Sequence, residues 1–171
     1  MKLLPLIIRE AKPVDAKSLL QLKTNYLRTS HTIPLYLEEY PNDLQAETEL
    51  ILRYKKQQNS ALFLAFKGDT LVGNIDITGN QRQKLMHTAA LGMGVHTRWQ
   101  NTGIGTALLQ HTITWAKQNN TLQVLWLEVY GSNLSGITLY TKMGFTNCGI
   151  IPAFFNEPTG YVEKHTMYLK L

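Results

Sequence analysis

The sequence predicts an α/β domain built around a single mixed sheet. Its helical and β-type patterns follow the order β-α-α-β-β-β-α-β-α-β-β, which is typical of one sheet with helices packed on it. Of the 171 residues, 44% are hydrophobic and 17% are charged, as in ordinary globular proteins. A chain of this length buries a substantial core by itself, so we expect residues 1–171 to form one domain.

Local signals justify each element of the first half. Apolar residues recur at three- and four-residue spacing in the first helix, and Lys67-Gly68-Asp69 provides a hairpin turn. The predicted elements are a strand over Leu3–Arg9, a helix from Pro13 to Leu27, a turn-rich stretch over Thr29–Asp43, a helix to about Lys56, and strands over Ala61–Phe66 and Thr70–Thr78.

The second half begins with a polar loop and alternates strands with helices. Asn119-Asn120 ends one expected helix, while Asn133 and Gly144 provide the N-cap and the C′ residue of the next. The predicted elements are strands over His87–His96 and Gln123–Tyr130, helices over Gly103–Gln118 and Asn133–Met143, and closing strands over Phe145–Ile151 and His165–Leu171.

Charge and composition narrow the classes of function. The net charge of +5 suits an anionic ligand, but no dense Lys/Arg block predicts a nucleic-acid partner. Cys148 is the only cysteine, so no intrachain disulfide can form, which fits a reducing cytoplasm. The apolar N-terminal run is interrupted by Pro5 and is more typical of a strand than of a signal peptide. No apolar run reaches the ~20 residues of a membrane span, so we expect a cytoplasmic protein outside membranes.

Two glycines open an apolar helical run in the stretch RWQNTGIGTALLQ. Gly103 and Gly105 each cost roughly 1 kcal/mol relative to alanine inside a helix, so a tight turn or a ligand must explain them. A helix N-terminus offers unpaired N–H groups and partial positive charge, which together bind anions such as a pyrophosphate. Arg98, Gln100 and Thr102 would add side-chain partners. The P-loop and dinucleotide-binding glycine motifs are absent, and a strand-to-helix turn without a ligand is the alternative.

Two motifs in this order point to a family. Residues 100–105, Gln-Asn-Thr-Gly-Ile-Gly, match the Q/R-x-x-G-x-G/A motif of the GNAT (GCN5-related) N-acetyltransferase superfamily. Downstream, NLSGITLYTKMGF resembles that family's Asn…Tyr…Lys-x-Gly-Phe segment, and the ending GYVEKHTMYLKL is similar to that of a bacterial branch that acetylates amino acids and related small amines. The resemblance covers nearly the whole chain. It implies the GNAT fold: a single mixed, mostly antiparallel sheet with splayed central parallel strands, flanked by about four helices.

The resemblance also implies acetyl-CoA as the acyl donor, bound in a cleft between the strands around Leu91–Val95 and Leu125–Tyr130. The pantetheine arm would hydrogen-bond along the first of these strands, and the pyrophosphate would sit on the glycine-containing turn. No metal is implied. The implied cofactor contacts are Met93, Gly94, Val95, Gln100, Asn101, Thr102, Gly103, Ile104, Gly105, Thr106, Asn133 and Tyr140.

Strand alternation leaves one face of the first of these strands almost without side chains. Ala90, Gly92 and Gly94 share that face. The bare face would leave room for a ligand, although two glycines are equally compatible with a β-bulge.

Tyr140 resembles the family's general acid, which protonates the CoA thiolate as it leaves. A phenol with a pKa near 10 can donate that proton at neutral pH. The alternative is a half-buried aromatic that only packs against its neighbours. Asn133 has two compatible roles, since it resembles the residue that binds the cofactor arm and it also caps a helix.

The sequence departs from the family pattern at the general base. Ala90 stands where many relatives have the Glu or Asp that deprotonates the amine. Glu128 is the first substitute, since it shares a strand face with Trp126 and Tyr130, where a solvated carboxylate is not expected. A structural hydrogen bond is the alternative role for Glu128. The weaker candidates are His87, followed by Asp76 and His111.

A missing base favours an acceptor amine that is easily neutralised. At pH 7 an α-amine with a pKa of ~7.8 is neutral roughly one time in seven, but a lysine side chain at ~10.4 only about one time in 2,500. We therefore expect an α-amino group whose proton leaves through ordered water. The expected acceptor contacts come from the least regular segments, 29–40 and 151–161, and are Tyr36, Glu38, Phe154 and Tyr161.

The sequence thus favours an acetyl-CoA-dependent N-acetyltransferase of a small primary amine, with an amino acid as the expected acceptor. Acetylation of a protein N-terminus and a non-catalytic acyl-CoA-binding module remain alternatives. The absent carboxylate at Ala90 favours the binding module, whereas Tyr140 argues against it. Members of the family are often dimers, so a homodimer is an open expectation.

Overall fold

Seven strands form one sheet in the computed structural model, which describes residues 4–171. The strand order is β1-β2-β3-β4-β5-β7-β6, and every neighbouring pair is antiparallel except β4 and β5. This arrangement confirms the expected mixed, mostly antiparallel sheet. The strands are β1 (Leu6–Glu10), β2 (Ala61–Lys67), β3 (Thr70–Gly79), β4 (Thr88–Val95), β5 (Val124–Tyr130), β6 (Thr146–Glu157) and β7 (Gly160–Lys170). The helices are α1 (Ala16–Leu27), α2 (Leu44–Lys56), α3 (Ile104–Gln118) and α4 (Leu134–Lys142).

Helices cover both faces of the sheet. On one face, buried residues of α3 pack against β2, β3 and β5, and apolar residues of α4 join this cluster. On the other face, α1 and α2 pack against Leu62, Leu64 and Leu71. Because side chains alternate along a strand, Ile75 and Ile77 of β3 face α3, while Asp76 between them lies on the opposite face, towards α1 and α2. The sheet therefore separates two differently lined layers.

Short capping signals position the helix ends. The Asp43 carboxylate accepts hydrogen bonds from the amides of Gln45 and Ala46 at the start of α2, at 2.8 and 3.4 Å. Gly144 follows α4 with a φ of +93°, as its C′ position requires. The predicted helix boundaries are confirmed to within a few residues.

The closing hairpin differs from the sequence prediction. The expected strands ended at Ile151 and began at His165, but β6 continues to Glu157 and β7 begins at Gly160. The register of β6 against β7 shifts between Ile151 and Phe155, where Ala153 has a φ of +52°. Pro152 indicates a loop in sequence, yet an edge strand tolerates proline at such an irregularity. Segment 151–161 is therefore a β-ribbon. The predicted start of the first strand, Leu3, lies outside the described residues.

The two parallel strands separate along their length. β4 and β5 are paired only at Thr88–Val124, Ala89–Leu125 and Ala90–Trp126. Beyond these three pairs β4 remains bonded to β3 as far as Val95, while β5 remains bonded to β7. The splay expected at the centre of the sheet is confirmed, and it opens the interior of the sheet to solvent.

Packing of α3 on the sheet predicts a stability difference between two leucines. Leu108 of α3 is fully buried, whereas Leu134 at the start of α4 is 71% exposed. We expect Leu108→Ala to lower the free energy of unfolding by about 2–5 kcal/mol, because it leaves a cavity under α3. The matched variant Leu134→Ala should change it by less than about 0.5 kcal/mol. Urea denaturation followed by circular dichroism measures both, and equal losses would contradict this packing.

Candidate active site

A cleft of about 880 Å³ occupies the splay between β4 and β5. Its walls come from α1 and the segment after it, from β3 and β4, and from the N-terminal ends of α3 and α4. The cleft therefore receives residues from both layers of the fold. An elongated ligand can bind on the α3–α4 side while a second molecule approaches from the α1–α2 side.

The turn before α3 lies beside this cleft, which is lined on this side by Gln100, Asn101, Gly105 and Thr106. Gly103 is the N-cap of α3 with a φ of +87°, in the left-handed region that glycine tolerates best. Among the described residues no side chain caps this helix end. A Cβ at Gly103 would meet nothing within 4 Å, so its backbone conformation, rather than crowding, requires glycine there. A helix N-terminus with free amides provides an anion site, and this one opens next to the splay.

Most of the expected cofactor contacts line the cleft. The Gln100 side chain lies against β4, since its Nε2 donates a hydrogen bond to the Val95 carbonyl at 3.3 Å. Ile104, by contrast, is buried in the core beneath α3, and Thr102 donates a hydrogen bond to the Trp99 carbonyl at 2.6 Å. Thr102, Gly103 and Ile104 are absent from the cleft lining. The expected contacts that line it are Met93, Gly94, Val95, Gln100, Asn101, Gly105, Thr106, Asn133 and Tyr140.

The N-cap of α4, Asn133, and Tyr140 within α4 provide two further groups that line the cleft. The Asn133 Oδ1 accepts hydrogen bonds from the Gly136 amide at 2.9 Å and from the Ser135 hydroxyl at 3.2 Å, so Asn133 does cap α4. Tyr140, the expected general acid, is half-buried on the cleft wall and packs edge-on against Phe145. Burial raises the pKa of Tyr140 to about 12. Its hydroxyl therefore carries a proton throughout the neutral range.

The bare face of β4 is occupied by the protein itself. A Cβ at Gly94 would collide with the ring of Tyr26 from α1, and one at Gly92 would lie 2.8 Å from Asp76 Oδ1. The register of β3 against β4 is continuous here, so the glycines do not mark a bulge. The side chains of Tyr26 and Asp76 thus lie over the two glycines, and all four residues line the cleft.

Glu128 differs from its expected environment. Its side chain is 44% exposed, and its Oε1 accepts a hydrogen bond from the Lys164 ammonium at 2.5 Å. The expectation of a desolvated carboxylate was wrong, because β4 turns away from this part of β5 and leaves the cleft side uncovered. Glu128 does line the cleft, but its charge is neutralised by Lys164.

Asp76, which sequence reasoning ranked low, lies on the acceptor side of the cleft. Its Oδ2 accepts hydrogen bonds from the hydroxyls of Tyr54 and Thr78, at 3.2 and 3.3 Å. Burial raises the pKa of Asp76, and these hydrogen bonds and the charge of Lys23 oppose that effect in part. No local sequence signal identifies Asp76, because its position beside Gly92 follows from the pairing of β3 with β4. The other weak candidate on a helix, His111, packs edge-on against Phe63.

The four expected acceptor contacts lie outside the cleft lining. Glu38 is exposed in a 3-10 turn over Leu37–Glu39. Phe154 lies under the Lys164 ammonium, and Tyr161 is 73% exposed on β7. Tyr36 is also exposed. Their role in binding the acceptor stays a prediction. Within segment 29–40, the structure instead brings Ser30, Thr32, Ile33 and Pro34 to the cleft.

Metal-binding clusters and membrane-spanning helices are both absent from residues 4–171. No group of three or more His, Cys, Asp or Glu side chains is placed to hold a metal ion. None of the helices in this part of the chain has the length and apolar content that crossing a bilayer requires.

Sheet order, splay and cleft are those of an acyl-CoA-dependent transferase, and comparison with known proteins gives the family. The acetyltransferase (GNAT) family matches residues 26–145. The chain is 27% identical over 162 residues to the L-amino acid N-acetyltransferase AaaT of Escherichia coli strain K12, covering 95% of this chain and 96% of that protein.

Solved structures agree with this match. An acetyltransferase of the GNAT family from Streptococcus pneumoniae superposes with a TM-score of 0.94 at 26% identity, covering 98% of this chain and all of that one. The yncA acetyltransferase of Salmonella typhimurium, solved with its cofactor acetyl-CoA, has the same fold, with a TM-score of 0.87 at 17% identity, covering 98% of this chain and 94% of that one.

This chain belongs to the GNAT acetyltransferase family. It is an acyltransferase that uses acetyl-CoA as its donor and an amine as its acceptor. The residues present fit this donor, since the uncapped start of α3 adjoins the free edge of β4 in the splay.

The conformation of Gly103 predicts a measurable cost for a side chain. Gly103→Ala forces alanine into a left-handed backbone, which we expect to lower stability by about 1–2 kcal/mol and to weaken acetyl-CoA binding by shifting the turn. Gly149→Ala is the matched control, because its Cβ would likewise meet nothing within 4 Å but its φ is not left-handed. Denaturation and calorimetric titration with acetyl-CoA measure the two effects. If both variants behaved alike, the turn would not depend on this conformation.

Proposed function

We propose that this protein acetylates the α-amino group of a small molecule, with an amino acid as the acceptor. The observation that carries the proposal is the splay after Ala90–Trp126, because it joins a donor side and an acceptor side in one cleft. The donor side is lined by backbone amides and by Tyr140. The acceptor side is lined by charged and polar side chains of α1 and β3.

On the donor side, the residues hold and orient the donor. The amides of the turn over 103–106 would bind the diphosphate, and the backbone of Met93 and Val95 would pair with the pantetheine arm as an added strand does. Asn133 uses its Oδ1 to cap α4, which leaves its amide nitrogen for the donor. Acetyl-CoA supplies the acetyl group as a reactive thioester.

Tyr140 would act on the leaving sulfur. A phenol whose pKa is about 12 is a weaker acid than an aliphatic thiol with a pKa near 8.5, so complete proton transfer to the thiolate is uphill. Its first contribution is therefore a hydrogen bond that stabilises the negative charge as it develops on sulfur. The same raised pKa keeps the donor proton in place at every working pH.

The acceptor side supports a small zwitterionic amine. Lys23 offers a positive charge at the cleft wall, where its ammonium already donates a hydrogen bond to Glu47 at 2.6 Å. Asp76 offers negative charge in the same lining. An α-amino acid carries both signs of charge within a few bonds, which matches this lining. The named activity of the Escherichia coli relative, on L-amino acids, supports the same acceptor class.

Removal of the Tyr140 hydroxyl tests the donor half of the proposal. Tyr140→Phe should lower kcat roughly 10²-fold while leaving acetyl-CoA affinity within threefold, because the ring still packs against Phe145. The control is Tyr168→Phe on β7, which is exposed and outside the cleft. Thiol release measured with a chromogenic reagent gives the rates. A Tyr140→Phe enzyme of full activity would remove Tyr140 from the mechanism.

A panel of amines tests the acceptor half. With acetyl-CoA, free α-amino acids should be acetylated with kcat/KM values at least tenfold above those of N-α-blocked lysine, because an α-amine near pKa ~7.8 is neutral far more often. Peptides with a free N-terminus form the third arm of the panel. Preference for the lysine side chain or for peptides would contradict the proposed acceptor.

A further inference from the structure

Two polar side chains of β3 lie beside the two glycines of β4. Asn74 pairs with Gly94 and Asp76 pairs with Gly92 across the antiparallel ladder. All four residues line the cleft. Because Gly92 has no side chain, the Asp76 carboxylate lies over it, with Oδ1 only 2.8 Å from where a Cβ would stand. The carboxylate thus reaches across β4 towards the splay.

Both side chains present acceptor atoms without a donor. Asn74 is only 3% exposed, and within residues 4–171 its Oδ1 has no hydrogen-bond partner. Asp76 uses Oδ2 for the hydroxyls of Tyr54 and Thr78, which leaves Oδ1 for a ligand. A buried acceptor without a partner destabilises the folded protein, so a bound donor group is expected here. An ammonium supplies three N–H donors and a positive charge that matches the carboxylate.

The position of Asp76 explains how the enzyme works without a carboxylate at residue 90. Thr78 pairs with Ala90, so Asp76 lies two pairs further along the ladder, on the same face of the sheet as Ala90. We propose that Asp76, with Asn74 beside it, binds the acceptor ammonium and serves as the general base that Ala90 cannot provide. The inference rests on the proposed function, since it concerns the acceptor half of that cleft.

The surroundings of Asp76 suit this role. Tyr54 faces it from α2, and Lys23 and Tyr26 face it from α1. Burial raises the pKa of Asp76, which makes it a stronger base than a solvated carboxylate. Glu128, the alternative carboxylate of the cleft, already holds the Lys164 ammonium.

The proton balance of the reaction follows. The bound ammonium gives one proton to Asp76 Oδ1, and the freed nitrogen lone pair forms a bond to the acetyl carbon. The carbon–sulfur bond breaks as the amide forms, and its electron pair goes to sulfur. The nitrogen loses its second N–H proton, which passes to the thiolate sulfur. The products are therefore the N-acetyl amine, the protonated thiol and the one proton held by Asp76. Asp76 returns its proton to solvent before the next turnover.

The test compares Asp76→Asn with Asp69→Asn, which removes the same charge from the exposed turn between β2 and β3. At pH 6.5 we expect Asp76→Asn to lower kcat/KM for the best α-amino acid about 10²-fold or more, with acetyl-CoA affinity and melting temperature near those of wild type. Asp69→Asn should retain activity within twofold. Calorimetric titration of the amine in the presence of coenzyme A should show at least tenfold weaker binding to Asp76→Asn.

The pH dependence separates a base from a structural residue. Wild type would use the abundant ammonium form, whereas Asp76→Asn would depend on amine that is already neutral. The ratio of wild-type to variant kcat/KM should therefore fall by up to tenfold per pH unit as the pH rises towards the pKa of the amine. A ratio that stayed constant between pH 6 and 8, or an unaffected Asp76→Asn, would overturn the inference.

A second variant tests the placement without changing the carboxylate. Gly92→Ala puts a methyl group 2.8 Å from Asp76 Oδ1, so it should also reduce kcat/KM by at least tenfold while acetyl-CoA still binds. Full activity of Gly92→Ala would contradict the placement of the carboxylate. If wild type released thiol with none of the amines in the panel, the proposed function and this inference would fail together. If wild type is active and Asp76→Asn and Gly92→Ala keep its activity, the inference alone fails.

Discussion

The interruption of pairing between β4 and β5 is the constraint on which the rest of this structure depends. Backbone N–H and C=O groups in the middle of a sheet require partners, and beyond Ala90 those on the β5 side of β4 lose theirs. An extended ligand that pairs with β4 restores them. The helices that follow the two strands start at the same opening, so the N-terminal end of α3 and one side of α4 both line it. One break in a ladder thus creates the cleft and orients its main functional groups.

The sheet also separates the two halves of the reaction. The α3–α4 layer contains the largest apolar cluster, and the donor side of the cleft is built on this rigid support. The polar side chains Asn74 and Asp76 of β3 lie on the α1–α2 side of the sheet, where the hydroxyls of Tyr54 and Thr78 hold Asp76. In the proposed mechanism, the acceptor charge is recognised on one face and the donor on the other, and the two molecules meet where the strands separate. Residues 92 and 94 carry no side chains, so this part of the sheet is thin enough for Asp76 to extend across β4.

Sequence reasoning predicted the order of elements and the fold, because these depend on local signals, and most of the donor contacts that it expected line the cleft. The turn at Gly103, the cap at Asn133 and the pattern around Tyr140 are all readable within a few residues. The acceptor half depends on which strands lie side by side, and no local pattern gives the pairing of Asp76 with Gly92. The environment of Glu128 was missed for the same reason, since its exposure follows from the separation of β4. The ribbon over 151–161 was missed because Pro152 is a loop signal whose effect an edge strand can absorb.

The irregularity in β6 has a consequence for how copies of this protein meet. β6 is the outermost strand of the sheet, and an unpaired edge of its length is a template for uncontrolled association with other chains. Pro152 removes a donor from that edge, and the left-handed Ala153 turns the backbone out of line before Phe155. A strand of another chain could therefore not form a continuous ladder of backbone hydrogen bonds along the whole of β6. The feature that made this ribbon hard to predict also interrupts the longest free edge of the sheet.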